Sequence, residues 1–218
     1  MTNSALRRSI GALQRRIRKR IVPFEQIASH LPRTGSLLEI GCGEGLVLEM
    51  LKSDVAPVVG VDFDPRKLGL ARSRLADRKS IVLVENDAFA YLRTQKTGTW
   101  DCVLLVDTLS SFSINDQNRL LEEAVRVLAP DGQLLLKTID GAAGWKTLFS
   151  KTLSALIYSV FRLSRSNHQA FYYQAEDELV CFFKKQPVSV TVTPLHRIAF
   201  HVVPHTLLLA KKCGGSGA

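Results

Sequence analysis

Leu37-Leu38-Glu39-Ile40-Gly41-Cys42-Gly43-Glu44-Gly45 is the stretch on which the reading of this 218-residue chain turns. Apolar residues around one acid at 37–40 have the composition of a short buried strand. Three glycines then alternate at 41, 43 and 45, and Leu46, Val47, Met50 and Leu51 follow at helical spacing, which predicts a helix over 45–52. A strand that passes through a glycine turn into a helix brings bare backbone amides and a helix N-terminus up to a ligand. Beyond the turn a second apolar run, Val58 to Val61, ends in Asp62. An acid at the tip of the neighbouring strand is placed to accept both hydroxyls of a ribose. Together the two features predict a bound nucleoside.

Spacing narrows the choice. A dinucleotide site of the doubly wound fold reads G-x-G-x-x-G, its third glycine letting the helix pack on the strand. Here the pattern is G-x-G-x-G, and Leu46 stands where that third glycine would be. The phosphate-cradling G-x-x-x-x-G-K-[ST] pattern is absent. No basic residue lies between Leu37 and Leu51, and the turn contains Glu44. A pyrophosphate would find little compensating charge there, whereas a ligand with a cationic centre suits it.

E-I-G-C-G-E-G with G-V-D-F-D at 60–64 resembles motif I and the following acidic motif of the class I S-adenosylmethionine-dependent methyltransferases. Further pieces follow in the family's order. E-N-D-A (85–88) is similar to its adenine-contacting motif, and V-D-T-L (106–109) to its post-fourth-strand motif. R-V-L-A-P-D-G-Q-L-L-L (126–136) resembles the turn before its fifth strand, and P-H-T-L-L-L-A-K-K (204–212) its last strand. The resemblance covers residues 33–212.

Periodicity gives the same architecture. Strands are predicted at 36–40, 58–61, 80–85, 101–107, 133–138, 188–193 and 205–210, with helices at 24–31, 65–78, 88–94, 115–128 and 175–185. Alternation of strand and helix implies a parallel sheet covered on both faces. The last two strands have no helix between them and should pair antiparallel at one edge. The expected fold is a three-layer α/β/α, doubly wound, seven-stranded and mostly parallel sheet with an antiparallel edge hairpin.

Site roles follow from chemistry and from the resemblance. Gly41, Gly43 and Gly45 let the backbone pass beneath the methionine part of the cofactor, with Cys42 serving as a small side chain. The resemblance implies that Glu39 positions the loop and helps hold the ammonium side. Asp62 is the ribose ligand and Phe63 lies along the adenine. Asp64 precedes Pro65, which favours a helix cap over a ligand. Asp87 accepts from the adenine amino group while the Ala88 amide donates to a ring nitrogen. Asp107 faces the crevice at the carboxyl end of the fourth strand. Methyl transfer from an activated sulfonium needs chiefly positioning and a dry pocket. A base is required only for a protonated nucleophile, and Asp107, His168, Tyr172, Tyr173, His196, His201 and His205 are the candidates. Asp107, His168 and Tyr172 lead them, and a structural role is expected for His205. No metal site is suggested, because Cys42, Cys102, Cys181 and Cys213 form no C-x-x-C pair.

Charge is concentrated at one end. The net charge of +9 comes from 29 Lys+Arg against 20 Asp+Glu, and residues 1–20 hold seven of those bases and no acid. Leu6, Ile10, Leu13, Ile17 and Ile21 trace the apolar stripe of an amphipathic helix with a cationic face. Three readings stay open for this leader: a cap on the domain, an anionic membrane surface, or nucleic acid. No aromatic residue lies among its bases to stack a nucleobase. The expected division is a basic leader (1–32), a methyltransferase domain (33–212) and a flexible tail (213–218). Within the domain, 140–174 is read as a substrate lid, because 144–163 is amphipathic and too polar to span a bilayer. The reading is a cytoplasmic S-adenosylmethionine-dependent methyltransferase, peripheral on the membrane if the leader docks there. Its acceptor is a small molecule of lipid-like, quinone-type or carrier-bound character. An RNA or protein methyltransferase and a catalytically inactive cofactor-binding partner subunit are the alternatives. The amino-methylating N-P-P-[YF] signature is missing where the chain reads D-T-L-S (107–110).

Overall fold

The computed structural model describes residues 22–52, 54–142, 144, 171–195 and 205–213. Seven strands form one sheet: β1 (Gly35–Ile40), β2 (Val55–Asp62), β3 (Ile81–Glu85), β4 (Trp100–Val106), β5 (Leu128–Ile139), β6 (Val188–Leu195) and β7 (His205–Lys212). Their order is β3-β2-β1-β4-β5-β7-β6. β1 to β5 run parallel, and β7 runs antiparallel to both β5 and β6. The expected edge hairpin is therefore present, with β6 as the outer strand. From β1 the chain winds outward through β2 and β3, then returns to lay β4 on the other side of β1. That reversal is the switch point at which open parallel sheets bind ligands, beyond the carboxyl ends of the strands.

Among the described residues five helices cover the sheet: α1 (Phe24–Ser29), α2 (Pro65–Arg74), α3 (Ala88–Thr94), α4 (Ile114–Val127) and α5 (Glu176–Lys184). Two hydrophobic clusters lie on opposite faces. Leu92, Leu120, Leu121, Leu179 and Phe183 from α3, α4 and α5 pack with Leu38, Ile40, Val103 and Leu105. Phe24, Ile27, Leu48, Leu51 and Leu68 pack with Leu37, Leu104 and Leu135. Neighbours along β1 and β4 thus alternate between faces, and both faces are apolar because both are covered. α4 starts where Ser113 Oγ accepts from the Asp116 amide, and its Leu120, Leu121, Ala124 and Val125 supply one buried stripe.

Two segments depart from expectation. The helix predicted over 45–52 is a set of turns containing a single 3-10 turn, Leu48–Met50. Gly45 has φ +71°, which cannot start an α-helix, and a Cβ on it would lie 2.9 Å from Leu75 Cδ1. α2 packs directly on this glycine. Of the apolar pattern, Leu46, Val47 and Leu51 are buried while Met50 is 38% exposed, so most of it records burial in a turn rather than a helix. The Pro130–Gly132 turn is likewise not a separator but a bulge inside β5: Trp100 pairs with Leu128, and Cys102 with Gln133.

Candidate functional site

The glycine turn is fastened to the end of β2. Gly41 and Cys42 donate their amides to the Val61 carbonyl at 2.7 and 3.0 Å. Gly41, Gly43 and Gly45 all have positive φ, the left-handed region that L side chains rarely occupy. A Cβ on Gly41 would fall 2.3 Å from Thr108 Oγ1, which donates to the Ile40 carbonyl at 3.0 Å. At Gly43 nothing comes nearer than Asp62 Oδ2 and Lys67 Cδ, each at 4.0 Å. One glycine is therefore demanded by packing, whereas the other faces open space.

Asp62 ties three segments together. Its Oδ2 accepts from the Gly43 amide at 2.9 Å and its Oδ1 from the Asp64 amide at 2.8 Å. Its own carbonyl accepts from the Asn86 amide at 3.2 Å, at the end of β3. The side chain is 6% exposed. A carboxylate has about four acceptor positions, so both oxygens retain capacity for a ligand's hydroxyls. Phe63 follows at 48% exposure, an aromatic ring left open beside a buried acid. Asp64 caps α2: it accepts from the Arg66 amide at 3.0 Å and from the Arg66 guanidinium at 3.1 and 2.8 Å. Burial alone would raise its pKa, but these bonds outweigh burial and hold it below the ordinary carboxylate value.

At the end of β3, Asp87 Oδ1 accepts from the amides of Phe89 and Ala90 at 2.9 and 3.0 Å, so this acid caps α3. Asp87 is exposed. Ala88, as the first helical residue, presents an amide with no intrahelical acceptor. Glu39 is 2% exposed near the end of β1, in register with Gly60. Cys42 has its thiol pKa pushed up, first by burial and then by the carboxylates of Glu39 and Asp62. It is a neutral filler there.

Asp107, expected to face the crevice at the end of the fourth strand, follows directly on β4. It adopts φ 58°, rare for a residue with a side chain, and its carboxylate is ion-paired with Lys137 Nζ. Its amide donates to the Lys137 carbonyl at 3.2 Å. Beyond it the segment 171–174 is sewn to the loop after β4. The Tyr172 amide donates to the Ser110 carbonyl at 3.0 Å, and Gln117 Nε2 donates to the carbonyls of Phe112 and Tyr172, both at 2.9 Å. Gln174 Nε2 donates to Gln117 Oε1 at 3.0 Å. Tyr172 is 41% exposed, and the rings of Phe171 and Tyr173 stack 6.5 Å apart. The two ends of the expected lid meet here, since the Gly141 amide donates to the Gln174 carbonyl at 2.9 Å.

The structure thus brings Glu39, the glycine turn, Asp62, Phe63, Asp87, Ala88 and Asp107 to the carboxyl ends of adjacent strands. His205 lies inside the sheet, paired with Ile139 and Leu195. His168, His196 and His201 lie outside the described residues, as do the leader helix and the 145–163 part of the expected lid helix. Four contributors were not singled out by sequence. Lys67 approaches the glycine turn, so the fold adds a base that the local segment lacks. Arg74 donates through Nε to the Glu44 carbonyl at 3.0 Å and pairs with Glu49 at 3.1 Å. Gln117 and Lys137 complete the set; a lysine inside the run L-L-L-K-T-I (134–139) was the one available signal. Among the described residues no group of three or more His, Cys, Asp or Glu could hold a metal ion. No described helix is long and apolar enough to cross a membrane.

Residues 38–136 match the family model described as a methyltransferase domain. A ubiquinone biosynthesis O-methyltransferase of Rhodopseudomonas palustris is 26% identical over 170 residues, covering 77% of this chain and 64% of that protein. One from Xanthomonas oryzae pv. oryzae is 26% identical over 120 residues, covering 55% of this chain and 49% of its own length. The chain therefore spans about half to two thirds of the curated relatives it matches. Among solved structures, an O-methyltransferase family protein from Burkholderia thailandensis superposes with a TM-score of 0.73 at 17% identity, over 98% of this chain and 61% of that one. The YcgJ protein of Bacillus subtilis gives 0.67 at 14% identity, over 88% and 99%.

Proposed function

We propose, from the methyltransferase domain that this chain carries over residues 38–136, that it transfers a methyl group from S-adenosylmethionine to a hydroxyl of a small, quinone-type acceptor. The observation that carries the cofactor assignment is the Gly43–Asp62 latch, in which an open left-handed glycine lies against a carboxylate with acceptor capacity left over. Asp62 would take the ribose hydroxyls, Phe63 the adenine face, and Asp87 Oδ2 with the Ala88 amide the adenine edge. Gly41, Cys42, Gly43 and Gly45 would line the methionine part, and Glu39 and Asp107 would add the acidic surroundings that a positive centre favours. The cofactor supplies an activated methyl group when bound, and the protein's task is to aim it and exclude water. Oxygen as the target, and a ring acceptor, are supported by the names of the relatives.

Titration calorimetry with S-adenosylmethionine and S-adenosylhomocysteine tests the cofactor assignment. Micromolar binding that Asp62→Ala abolishes is the expected result; a folded protein that binds neither refutes it. We also assign residues 140–174 to the acceptor lid, and the basic leader (1–20) to an anionic membrane surface, where a lipid-like acceptor would reside. Each base near such a surface contributes roughly 1 kcal/mol. Deleting residues 1–20 should abolish cosedimentation with phosphatidylglycerol vesicles, and unchanged binding would refute the membrane role.

A further inference from the structure

Lys137 is among the largest side chains that the described core buries completely, and the one charged residue in that group. It stands on β5 opposite Leu207 of β7, with apolar Leu135 and Leu207 as near neighbours on a sheet face that also carries Glu39, Gln133 and His205. A buried ammonium is costly unless it is paired, and an apolar residue of similar length would suit such a position at least as well. Its partner is Asp107, which is not buried to the same degree: the Asp107 side chain is 27% exposed while that of Lys137 is 0% exposed. The aspartate is held from two sides, by the Lys137 ammonium at its carboxylate and by the Lys137 carbonyl at its amide. It is also held in a left-handed backbone conformation at φ 58°, a strain that clusters at functional sites. The next residue, Thr108, touches the glycine turn, and Ser110 anchors Tyr172. Asp107 thus lies between the cofactor cradle and the aromatic segment.

We infer that Asp107 receives the proton of the acceptor hydroxyl and that Lys137 is the positioning residue that keeps this carboxylate ionised and aimed into the crevice. The inference rests on the methyltransferase reading. In the step it describes, the acceptor O–H bond breaks and its proton passes to Asp107. The oxygen pair forms the new C–O bond as the C–S bond breaks, and its electrons remain on the departing thioether sulfur. The exposed part of Asp107 then returns the proton to water. Lys137 stays protonated throughout and touches neither reactant.

The test uses the full chain with catechol as acceptor probe, a diol that is protonated in water at pH 7 and whose near-ultraviolet absorbance also reports how far its bound hydroxyl is ionised. Asp107→Asn should lower kcat by about a hundredfold or more. Lys137→Met should lower kcat about tenfold at pH 7 and move the acid limb of the rate profile to higher pH by about 1–3 units, because the cation that favours the carboxylate is gone. The absorbance titration of the bound probe in the S-adenosylhomocysteine complex should move with it. Affinity for S-adenosylhomocysteine should change less than about threefold, and Lys137→Arg should restore the profile at least in part. A Lys137→Met protein with the wild-type pH profile overturns the inference. So does a loss of cofactor affinity and folding stability equal to the loss of rate, or a wild-type protein that binds S-adenosylhomocysteine yet neither binds nor methylates the probe. Absence of S-adenosylhomocysteine binding would instead refute the methyltransferase reading itself.

Discussion

The Gly43 amide and the Asp62 carboxylate are joined by a 2.9 Å hydrogen bond across the gap between the β1 turn and the end of β2. The glycine turn and the acid that the proposed function assigns to the ribose are therefore one unit, joined without a ligand. Two backbone amides fill part of the Asp62 acceptor capacity and orient the rest, so that binding does not have to order the acid.

Asp62→Ala should remove both the ligand contact and the latch. Hydrogen bonds to a charged group contribute about 1.5–3 kcal/mol each, so two lost ribose contacts predict a fall of about a hundredfold or more in S-adenosylmethionine affinity. Asp62→Asn should do little better, since its amide group would oppose either the Gly43 or the Asp64 amide donor to donor. Calorimetry of both variants checks this; affinity within threefold of wild type would remove Asp62 from the site.

Gly41 and Gly43 should fail in different ways. Alanine at 41 would set a Cβ 2.3 Å from Thr108 Oγ1, so Gly41→Ala should unfold at a clearly lower temperature with or without cofactor. Alanine at 43 meets no atom closer than 4.0 Å and incurs only the left-handed backbone penalty of about 1–2 kcal/mol. Its methyl group would project toward the space between Asp62 and Lys67. Gly43→Ala should fold and lose affinity. Melting curves with and without S-adenosylhomocysteine separate the two, and equal melting temperatures for both apo variants would contradict the packing account.

The sheet, with its parallel body and antiparallel edge pair, was legible because it rests on a local pattern of apolar runs of strand length alternating with helical ones, and the glycine turn and the acid at the β2 tip stood out by their fixed offsets. What was not legible depends on which surface a segment meets. Leu46, Val47, Met50 and Leu51 carry a helix-like pattern, yet the close approach of α2 to Gly45 makes the segment a turn in which all of them but Met50 are buried. Asp87 and Asp107 were recognised as strand-end acids, but a cap and an ion pair depend on partners in space. Lys137 and Arg74, distant in sequence from the acids they meet, gave no local sign of those partners.

Asp64 predicts a pH signature. Its carboxyl pKa is lowered in the folded protein by Arg66 against the raising effect of burial, so the stabilisation is complete above the unfolded value of about 3.8 and is lost as pH falls through the lower folded value. Asp64→Ala should cost about 1–2 kcal/mol at pH 7, the range for a helix N-cap. The difference in stability between wild type and variant should stay constant down to about pH 5 and shrink below it. Urea titrations at pH 7, 5 and 3 measure this, and a gap that widened on acidification would have the wrong sign.

Gln117 is the bolt that holds segment 171–174 to the loop after β4. Fully buried, it serves the carbonyls of Phe112 and Tyr172 and the side chain of Gln174. Gln117→Leu keeps the volume but leaves those carbonyls unserved, at about 1–3 kcal/mol for a buried unsatisfied group. The amides of 171–175 should exchange faster, and cofactor affinity should be nearly unchanged. Hydrogen exchange that leaves 171–175 as protected as in wild type would show that the segment is held elsewhere.

Arg74 should govern cofactor affinity without touching the cofactor. Because no α-helix follows the glycine turn, the carbonyls and acids of 44–52 need outside donors, and α2 with the residues after it supplies them. Arg74 reaches the Glu44 carbonyl and the Glu49 carboxylate, and Arg78 donates to the Leu51 carbonyl at 2.8 Å. With its side chain only 17% exposed, Arg74 is held in a planar fork that lysine cannot reproduce. Arg74→Ala and Arg74→Lys should both raise the KM for S-adenosylmethionine about tenfold, the effect of about 1.4 kcal/mol, with kcat at saturation nearly unchanged. The amides of 45–51 should exchange faster in both. A lysine variant with wild-type KM would mean that charge alone suffices; a fall in kcat at unchanged KM would place Arg74 in the chemistry instead of beneath the cradle.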